Sequence, residues 1–437
     1  MERVLCVDFG STFTKAVLVD TRSGHLLAAG STPTTLATDV LDGHRTLLQR
    51  LDVPPGTPTL GCSSAGGGLR LAVVGYERQV TAEAGQRVGL SAGARVVHVS
   101  AGRLDGAGVA ALRAARPDIL LLVGGTDGGN SEVLRHNATR LAAARLPVPV
   151  VVAGNRAARE EVGAILGTTR RRHVLADNVV PEIGLLAPVS ARSAIRAAFL
   201  EHVIGGKGLS RDPGFARLVQ APTPDAVLRG VEVLAQVAGV DILVVDIGGA
   251  TTDVYSCVTP QGEDATLRKD VVAPLWHART VEADLGVRWN AGGIVEAARR
   301  EGLTASNGLE EYAGSLLERP AHLPLGAAEQ AMDLELAGLA ATVAVRRHGR
   351  PGLPGEAGRP LGDIGLVLGS GGVLRHNDPA AVRDLLEAVT TDHGGGWKVP
   401  SEARVGVDTA YLLFAAGLLA DRSDGLAAAL ARRLLPS

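Results

Sequence analysis

The sequence predicts an α/β fold of two related halves, with the functional cleft between them and a further α/β region inserted in the first. Three observations predict it. A strand–turn–strand unit at 4–19 recurs at 242–258, an alternating α/β stretch lies between the copies, and a third buried strand running into glycines follows at 364–372. Repeats this far apart indicate duplicated domains, because solenoid periods are several-fold shorter. The expected division is 1–59 for the first part of half I, 60–177 for the inserted region, 178–240 for connecting helices and 241–437 for half II.

The elements follow in chain order. Val4-Leu-Cys-Val-Asp8 is an apolar, β-forming run that stops at an acidic residue and a glycine, as a buried strand entering a tight turn does. After Gly10-Ser-Thr-Phe-Thr-Lys15, the run 16–19 returns as its hairpin partner. Strands at 71–74, 119–123 and 148–152 alternate with helices at 132–144 and 156–166, the pattern of a parallel sheet. Helices at 190–203 and 225–238 lead to the second hairpin, Leu243-Val-Val-Asp246, Ile247-Gly-Gly-Ala-Thr-Thr-Asp253 and the return at 254–258. Helices at 292–301 and 327–345, a Gly/Pro-rich loop at 349–360, the strand 364–368 and a helix at 379–389 come next. A helix at 408–420 and an Arg-rich C-terminal helix complete the chain.

Composition limits the function classes. With 437 residues, 44 Lys plus Arg against 46 Asp plus Glu and 46% hydrophobic residues, the chain is globular and has no basic stripe for nucleic acid. The triplet Arg170-Arg171-Arg172 reads as a solvated turn. Asp8 interrupts the first apolar run, and 410–420 is shorter than the roughly 20 residues of a membrane span, so a cytoplasmic protein is expected. Cys6, Cys62 and Cys257 lack metal or redox spacing. His277, His322, His348, His376 and His393 likewise show no ligand spacing. Only Lys15, Lys207, Lys269 and Lys398 are lysines, so a position that keeps lysine against this arginine bias marks a need for a compact ammonium.

Chemistry concentrates at the two turns. Gly10, Ser11 and Thr12 can aim donors at phosphate oxygens while Lys15 neutralises charge; Gly248, Gly249, Thr251, Thr252 and Asp253 occupy the matching positions of the second turn. The repeat aligns Asp8 with Asp246, Gly10 with Gly248 and Lys15 with Asp253. Asp8 and Asp246 at strand ends suit a hydrated Mg²⁺, which takes one or two protein carboxylates and keeps waters. Gly369, Ser370, Gly371 and Gly372 form a third glycine turn between a strand and a helix.

In this order the three turns resemble the phosphate-1, phosphate-2 and adenosine motifs of the actin/Hsp70/sugar-kinase ATPase superfamily, whose halves have a ribonuclease H-like fold. The fuller resemblance is to the glutamate-mutase-associated MutL family, unrelated to the mismatch-repair protein of that name. It is carried by Gly61-Cys-Ser-Ser-Ala-Gly-Gly-Gly-Leu-Arg70, Leu122-Val-Gly-Gly-Thr-Asp-Gly-Gly129, 246–253, Arg279-Thr-Val-Glu-Ala-Asp-Leu-Gly286 and 369–373. The resemblance implies ATP and Mg²⁺ as cofactors, Asp8 and Asp246 as catalytic and metal-holding residues, and slow ATP hydrolysis as a switch. It further implies an accessory or reactivating chaperone whose partners are adenosylcobalamin-dependent mutase subunits, glutamate mutase or a related aminomutase.

Other readings stand beside this one. A small-molecule kinase needs the same cradle, and a nucleotide-binding scaffold needs no turnover. A dehydratase activator of this fold needs cluster-ligating cysteines, which these three are badly placed to supply. The 124–130 loop reads as a βα loop with Asn130 or Ser131 as N-cap, or as an anion site; the 63–68 turn reverses the chain or moves with nucleotide; and 282–288 is a surface ion-pair network or a cleft contact.

Overall fold

The computed structural model describes residues 3–259, 277–351, 358–394 and 402–436; Lys269, Lys398 and part of the expected 349–360 loop lie outside the described residues. Half I opens with β1 (Arg3–Phe9), β2 (Phe13–Asp20), β3 (Leu26–Pro33) and β4 (Thr59–Ser63). The inserted unit follows as β5 (Leu69–Gly75), β6 (Ala94–Ala101), β7 (Ile119–Leu122), β8 (Val150–Val152) and β9 (His173–Leu175), and β10 (Val219–Pro222) then returns to the first sheet. Half II contains β11 (Ile242–Ile247), β12 (Thr252–Cys257), β13 (His277–Glu282), β14 (Leu366–Ser370) and β15 (Arg404–Val407).

The duplication extends to strand order. The first sheet runs β10-β4-β1-β2-β3 and the second β13-β12-β11-β14-β15. In each, the first three strands pair antiparallel and the last two add in parallel. The inserted sheet is wholly parallel, in the order β6-β5-β7-β8-β9. Its central strands β5, β7 and β8 are near-continuous apolar runs because helices cover both faces, as parallel sheets require.

Three expectations change. Residues 60–63 belong to the half I sheet, because β4 pairs with β1 from Leu5↔Thr59 to Phe9↔Ser63, so the inserted sheet begins at Leu69. The segment expected to hold only connecting helices contains β10. The helix expected from Asp408 starts at Leu412; Asp408 instead accepts the N–H groups of Leu412 at 2.7 Å and Leu413 at 3.0 Å.

Helices Thr223–Ala238 and Leu412–Ala420 lie between the two main sheets and share one apolar core with β1, β2, β4, β11, β12 and β14. They approach backbone to backbone. A Cβ on Gly230 would fall 2.0 Å from the Leu413 carbonyl oxygen, and one on Gly417 would fall 1.8 Å from that of Ala226. Helix Val189–Ala198 ties the inserted unit to this pair: Arg192 meets Asp225 and Glu232, and Arg196 bridges Asp225 at 2.6 Å and Asp421 at 2.7 Å.

Candidate functional site

Both hairpins put their acidic residue on the last turns of a buried strand, directly opposite the residue that ends the glycine turn. Asp8 pairs across the ladder with Lys15, and Asp246 with Asp253. The turn glycines do the same work in each copy. A Cβ on Gly10 would sit 2.5 Å from the Phe13 carbonyl oxygen and one on Gly248 would sit 2.9 Å from that of Thr251, so a side chain is excluded at both. The turns face each other: Thr12 Oγ1 lies 3.0 Å from the position a Cβ on Gly249 would take.

The first turn is internally satisfied. Asp8 is buried, with Oδ2 3.3 Å from Lys15 Nζ and Oδ1 accepting the Thr223 hydroxyl at 2.5 Å. The Cys62 thiol donates to the same Oδ1 at 3.6 Å; burial first and the Asp8 charge second push its pKa well up. Burial opposes the charge of Lys15, but the carboxylates of Asp8 and Asp246 and the nearby Tyr411 hold its pKa above the ordinary lysine value. Ser11 donates to the Ser64 carbonyl at 3.0 Å, which fastens the 63–68 turn against this hairpin.

The second turn is acidic and incompletely satisfied. Burial raises the Asp246 pKa, and the charges of Asp253 and Asp8 add to the rise while Lys15 and a hydrogen bond from Ser370 oppose it. Asp253 is 7% exposed; its Oδ2 accepts Arg279 Nη2 at 3.0 Å and the Tyr255 hydroxyl at 3.4 Å, and its Oδ1 is buried without a partner. Arg279 also leaves its buried Nε unpartnered, and its Nη1 reaches the Ala94 carbonyl at the first residue of β6. One arginine therefore joins the second turn, by an ion pair, to the inserted unit, by a hydrogen bond.

The third turn closes the site. Ser370 lies opposite Asp246 in the β11–β14 ladder. Gly371 at φ 122° passes so close to β11 that a Cβ would meet the Ile247 carbonyl oxygen at 2.2 Å. Gly369 is buried and Gly372 exposed. Tyr411 adopts a left-handed backbone at φ 56°, uncommon for an aromatic residue. Its ring stands 4.8 Å from Lys15 Nζ of half I and 4.3 Å from the Arg375 guanidinium of half II.

A family model described as MutL protein matches residues 4–435. The chain belongs to the MutL family. It is 34% identical over 449 residues to "Protein MutL" of Clostridium tetanomorphum, covering 96% of each chain. Among solved structures it is similar to a nucleotide-free acetone carboxylase, at 14% identity over 95% of this chain and 70% of that one, with a TM-score of 0.39. It is also similar to a carbohydrate kinase from Novosphingobium aromaticivorans, at 15% identity over 95% and 90% of the two chains, TM-score 0.32.

In this MutL-family chain the turns bring Asp8, Gly10, Thr12, Lys15, Asp246, Gly248, Gly249, Asp253, Ser370 and Gly371 to one cleft. Thr251 supplies the carbonyl that closes the second turn. Thr252 differs from expectation: it is fully buried and donates its hydroxyl to the Leu285 carbonyl at 2.7 Å, so it braces the turn from behind. The 282–288 segment combines both readings: Arg347 pairs with Glu282 and the part-exposed Asp284, Arg288 forms a buried ion pair with Asp333, and the Val287 and Arg288 N–H groups bond the carbonyls of Gly248 and Gly249 in the second turn. Arg171 departs from a solvated turn, being 9% exposed and bonded to the Leu146 carbonyl. The 124–130 loop is held by side chains. Asn155 accepts the Gly128 N–H and donates to the Gly129 carbonyl, Asn178 bonds Gly125 and Asp127, and Asn130 caps the following helix through the Glu132 N–H.

Arg279, Tyr411, Arg375 and Thr223 are the site neighbours that sequence reasoning missed. Arg279 opens one of the strings that carried the family resemblance, and a basic residue two positions into a strand is a signal that could have been paired with Asp253. Tyr411 carries no such signal, since its importance lies in its backbone angle. Among the described residues no helix is long and apolar enough to cross a membrane.

Proposed function

We propose that this protein binds Mg²⁺-ATP between the two hairpins and uses nucleotide state, with slow hydrolysis, as the switch of an accessory or reactivating protein for an adenosylcobalamin-dependent mutase. The observation that carries the reading is the facing pair of turns, one neutral and one acidic: Asp8 with Lys15 on one side, Asp246 with Asp253 on the other. Backbone N–H groups at Gly10 to Thr12 and at Gly249 would cradle phosphate, and Lys15 would neutralise charge between Asp8 and Asp246. The orphaned Asp253 Oδ1 marks a place where a donor from a ligand's hydration shell fits.

Magnesium, when bound, would neutralise phosphate charge. Among the described residues no three His, Cys, Asp or Glu gather as a metal cage, which leaves a hydrated ion held through one or two carboxylates. Asp246 suits that role better than Asp8, whose two oxygens are already engaged by Lys15 and Thr223. Glycines 369 and 371 and Ser370 would border the nucleoside end.

The switch needs a link to the partner. Arg279 offers one, since it holds Asp253 with one nitrogen and the inserted unit with another. A ligand shifts a two-state equilibrium only by its differential affinity, so ATP must favour a different Asp253–Arg279 arrangement from ADP. The coupling between nucleotide and partner would be reciprocal.

The test uses an adenosylcobalamin-dependent mutase, glutamate mutase or a related aminomutase, inactivated and then mixed with the protein, Mg²⁺-ATP and fresh adenosylcobalamin. Recovery of activity with ATP is expected, and neither ADP nor the Asp246→Ala protein should replace it. Equal recovery in all three mixtures would sink the switch. Phosphorylation of a small metabolite in the same mixture would favour a kinase.

A further inference from the structure

The inserted unit ends its helices in an unusual way. Helices Gly106–Ala115 and Glu132–Ala144 are closed by Arg116 at φ 45° and Arg145 at φ 50°, and Arg170 at φ 53° follows helix Arg159–Gly167. Left-handed closure ordinarily falls to glycine or asparagine, and here Gly239 does that work behind helix Thr223–Ala238. Of the five non-glycine residues with positive φ among the described residues, three are these arginines, all at the edge where β7, β8 and β9 begin. The helix dipole favours cations at such ends. It does not require that the cation be the left-handed residue itself.

A cavity of about 660 Å³ opens at this edge. Its charged lining is Arg145, Arg170, Arg171, Arg172, His202 and one acid, Asp118, and Pro117, Pro147, Pro149 and Val203 supply an apolar side. Arg171, nine-tenths buried, donates Nη1 to the carbonyls of Leu146 and Val148 and keeps Nε without a partner. Arg172 meets His202 Nδ1 at 3.1 Å. The side chain of Arg145 and that of Arg170 are exposed, with no ion pair to any described residue. Of the neighbouring acids, Asp118 is occupied by the Arg70 N–H, and Glu201 stands 3.5 Å from His202. Four guanidinium groups thus converge on one concavity of a chain whose net charge is −2.

We propose that this cavity binds an organic phosphate, with the phosphate on the guanidinium rim and the organic part against the prolines. Planar guanidinium forks match phosphate oxygens two at a time, and the volume falls within the range of about 300–1,000 Å³ typical of small-molecule sites. The cavity shares no lining residue with the turns at Asp8 and Asp246, so the inference stands apart from the nucleotide reading.

Calorimetric titration of the full chain with phenyl phosphate and with inorganic phosphate tests it, comparing wild type with the Arg145→Gly/Arg170→Gly double variant. Phenyl phosphate should bind wild type at least tenfold more tightly than inorganic phosphate does, and the double variant should lose at least tenfold. The unliganded double variant should melt at the same or a higher temperature, because glycine relieves the left-handed strain. Arg172→Gln, whose backbone φ is not left-handed, is a second variant and should also weaken binding. Equal binding by wild type and both variants overturns the site, and a lower melting temperature makes the arginines structural and overturns it too. Equal affinity for the two phosphates removes the organic half. Tighter binding of a hexaglutamate peptide than of phenyl phosphate overturns the proposal in favour of an acidic protein segment. Mg²⁺-ATP affinity should be unchanged in the double variant, and a parallel loss would merge this site with the cleft.

Discussion

The two hairpins share a backbone and differ in charge. In β1–β2 the ladder places a carboxylate against an ammonium, and every oxygen of Asp8 has a donor. In β11–β12 the same register places two carboxylates face to face, where burial first and the Asp253 charge after it raise the pKa of Asp246; it leaves Asp253 Oδ1 without a partner and recruits Arg279 from the next strand. Duplication fixed the turn geometry, and the charge register then diverged on it. A cleft built from two copies of the neutral hairpin would have nothing to hold a cation. One built from two copies of the acidic hairpin would repel phosphate.

The comparison breaks most severely at Arg279. Arg279→Met leaves Asp253 buried and unpaired, which should cost about 3–5 kcal/mol in denaturant unfolding; Arg279→Met with Asp253→Leu should recover most of it. If the single variant is as stable as wild type, the pair does not offset the repulsion between the two carboxylates. Next, Asp246→Ala should weaken Mg²⁺-ATP binding at least a hundredfold, about 2.7 kcal/mol by calorimetry, and abolish slow hydrolysis. Asp8→Ala should do the same by freeing Lys15 and Thr223, and intact binding in either variant would remove the assignment of that turn.

Lys15→Arg sharpens the contrast on the neutral side. A planar fork must fit where a compact ammonium lies between Asp8 and the Tyr411 ring, and ATP affinity should fall about tenfold. Unchanged affinity would make Lys15 a strand residue with no ligand role. The smallest effect is in pH. Asp246 has a native pKa above the ordinary aspartate value, so the folded state holds its proton more tightly than the unfolded chain does. Stability contributed by this group is therefore present at low pH and declines as pH rises through the interval between the unfolded and folded values. Mg²⁺ should counter the decline, raising the melting temperature by a few degrees above that interval and not below it. An equal rise in the Asp246→Ala protein would place the ion elsewhere.

Much of this contrast was legible in the sequence, because both hairpins are continuous and their partners sit seven positions apart. Apolar strands ending in Asp-x-Gly specified the turn, and the alignment of Lys15 with Asp253 matched the ladder register. The rest depends on contacts that sequence distance hides. Arg279 lies 26 residues beyond Asp253 and reaches it only through strand pairing. The edge strands β3, β6, β9, β10 and β15 are short or polar on one face and carry weak periodicity. Asp408 reads as a helix residue until the chain closes on it, and the arginine triplet reads as solvated until Arg171 turns inward.

The glycine seam between helices Thr223–Ala238 and Leu412–Ala420 has a mechanical consequence. Side-chain interfaces yield by changing rotamers, but at Gly230 and Gly417 main chain rests on main chain and there is nothing to repack. Such a joint is stiff against separation and against sliding, which would drive a carbonyl into a backbone. The motion it opposes least is a roll about the line of contact, which makes the seam a bearing and the two halves levers on either side of it. Displacement would then be smallest at the bearing and grow with distance from it. The turns lie close to the bearing, since Thr223 and Tyr411 at the starts of these helices touch Asp8 and Lys15, so a small closure on a ligand there becomes a larger swing of whatever is fastened farther out.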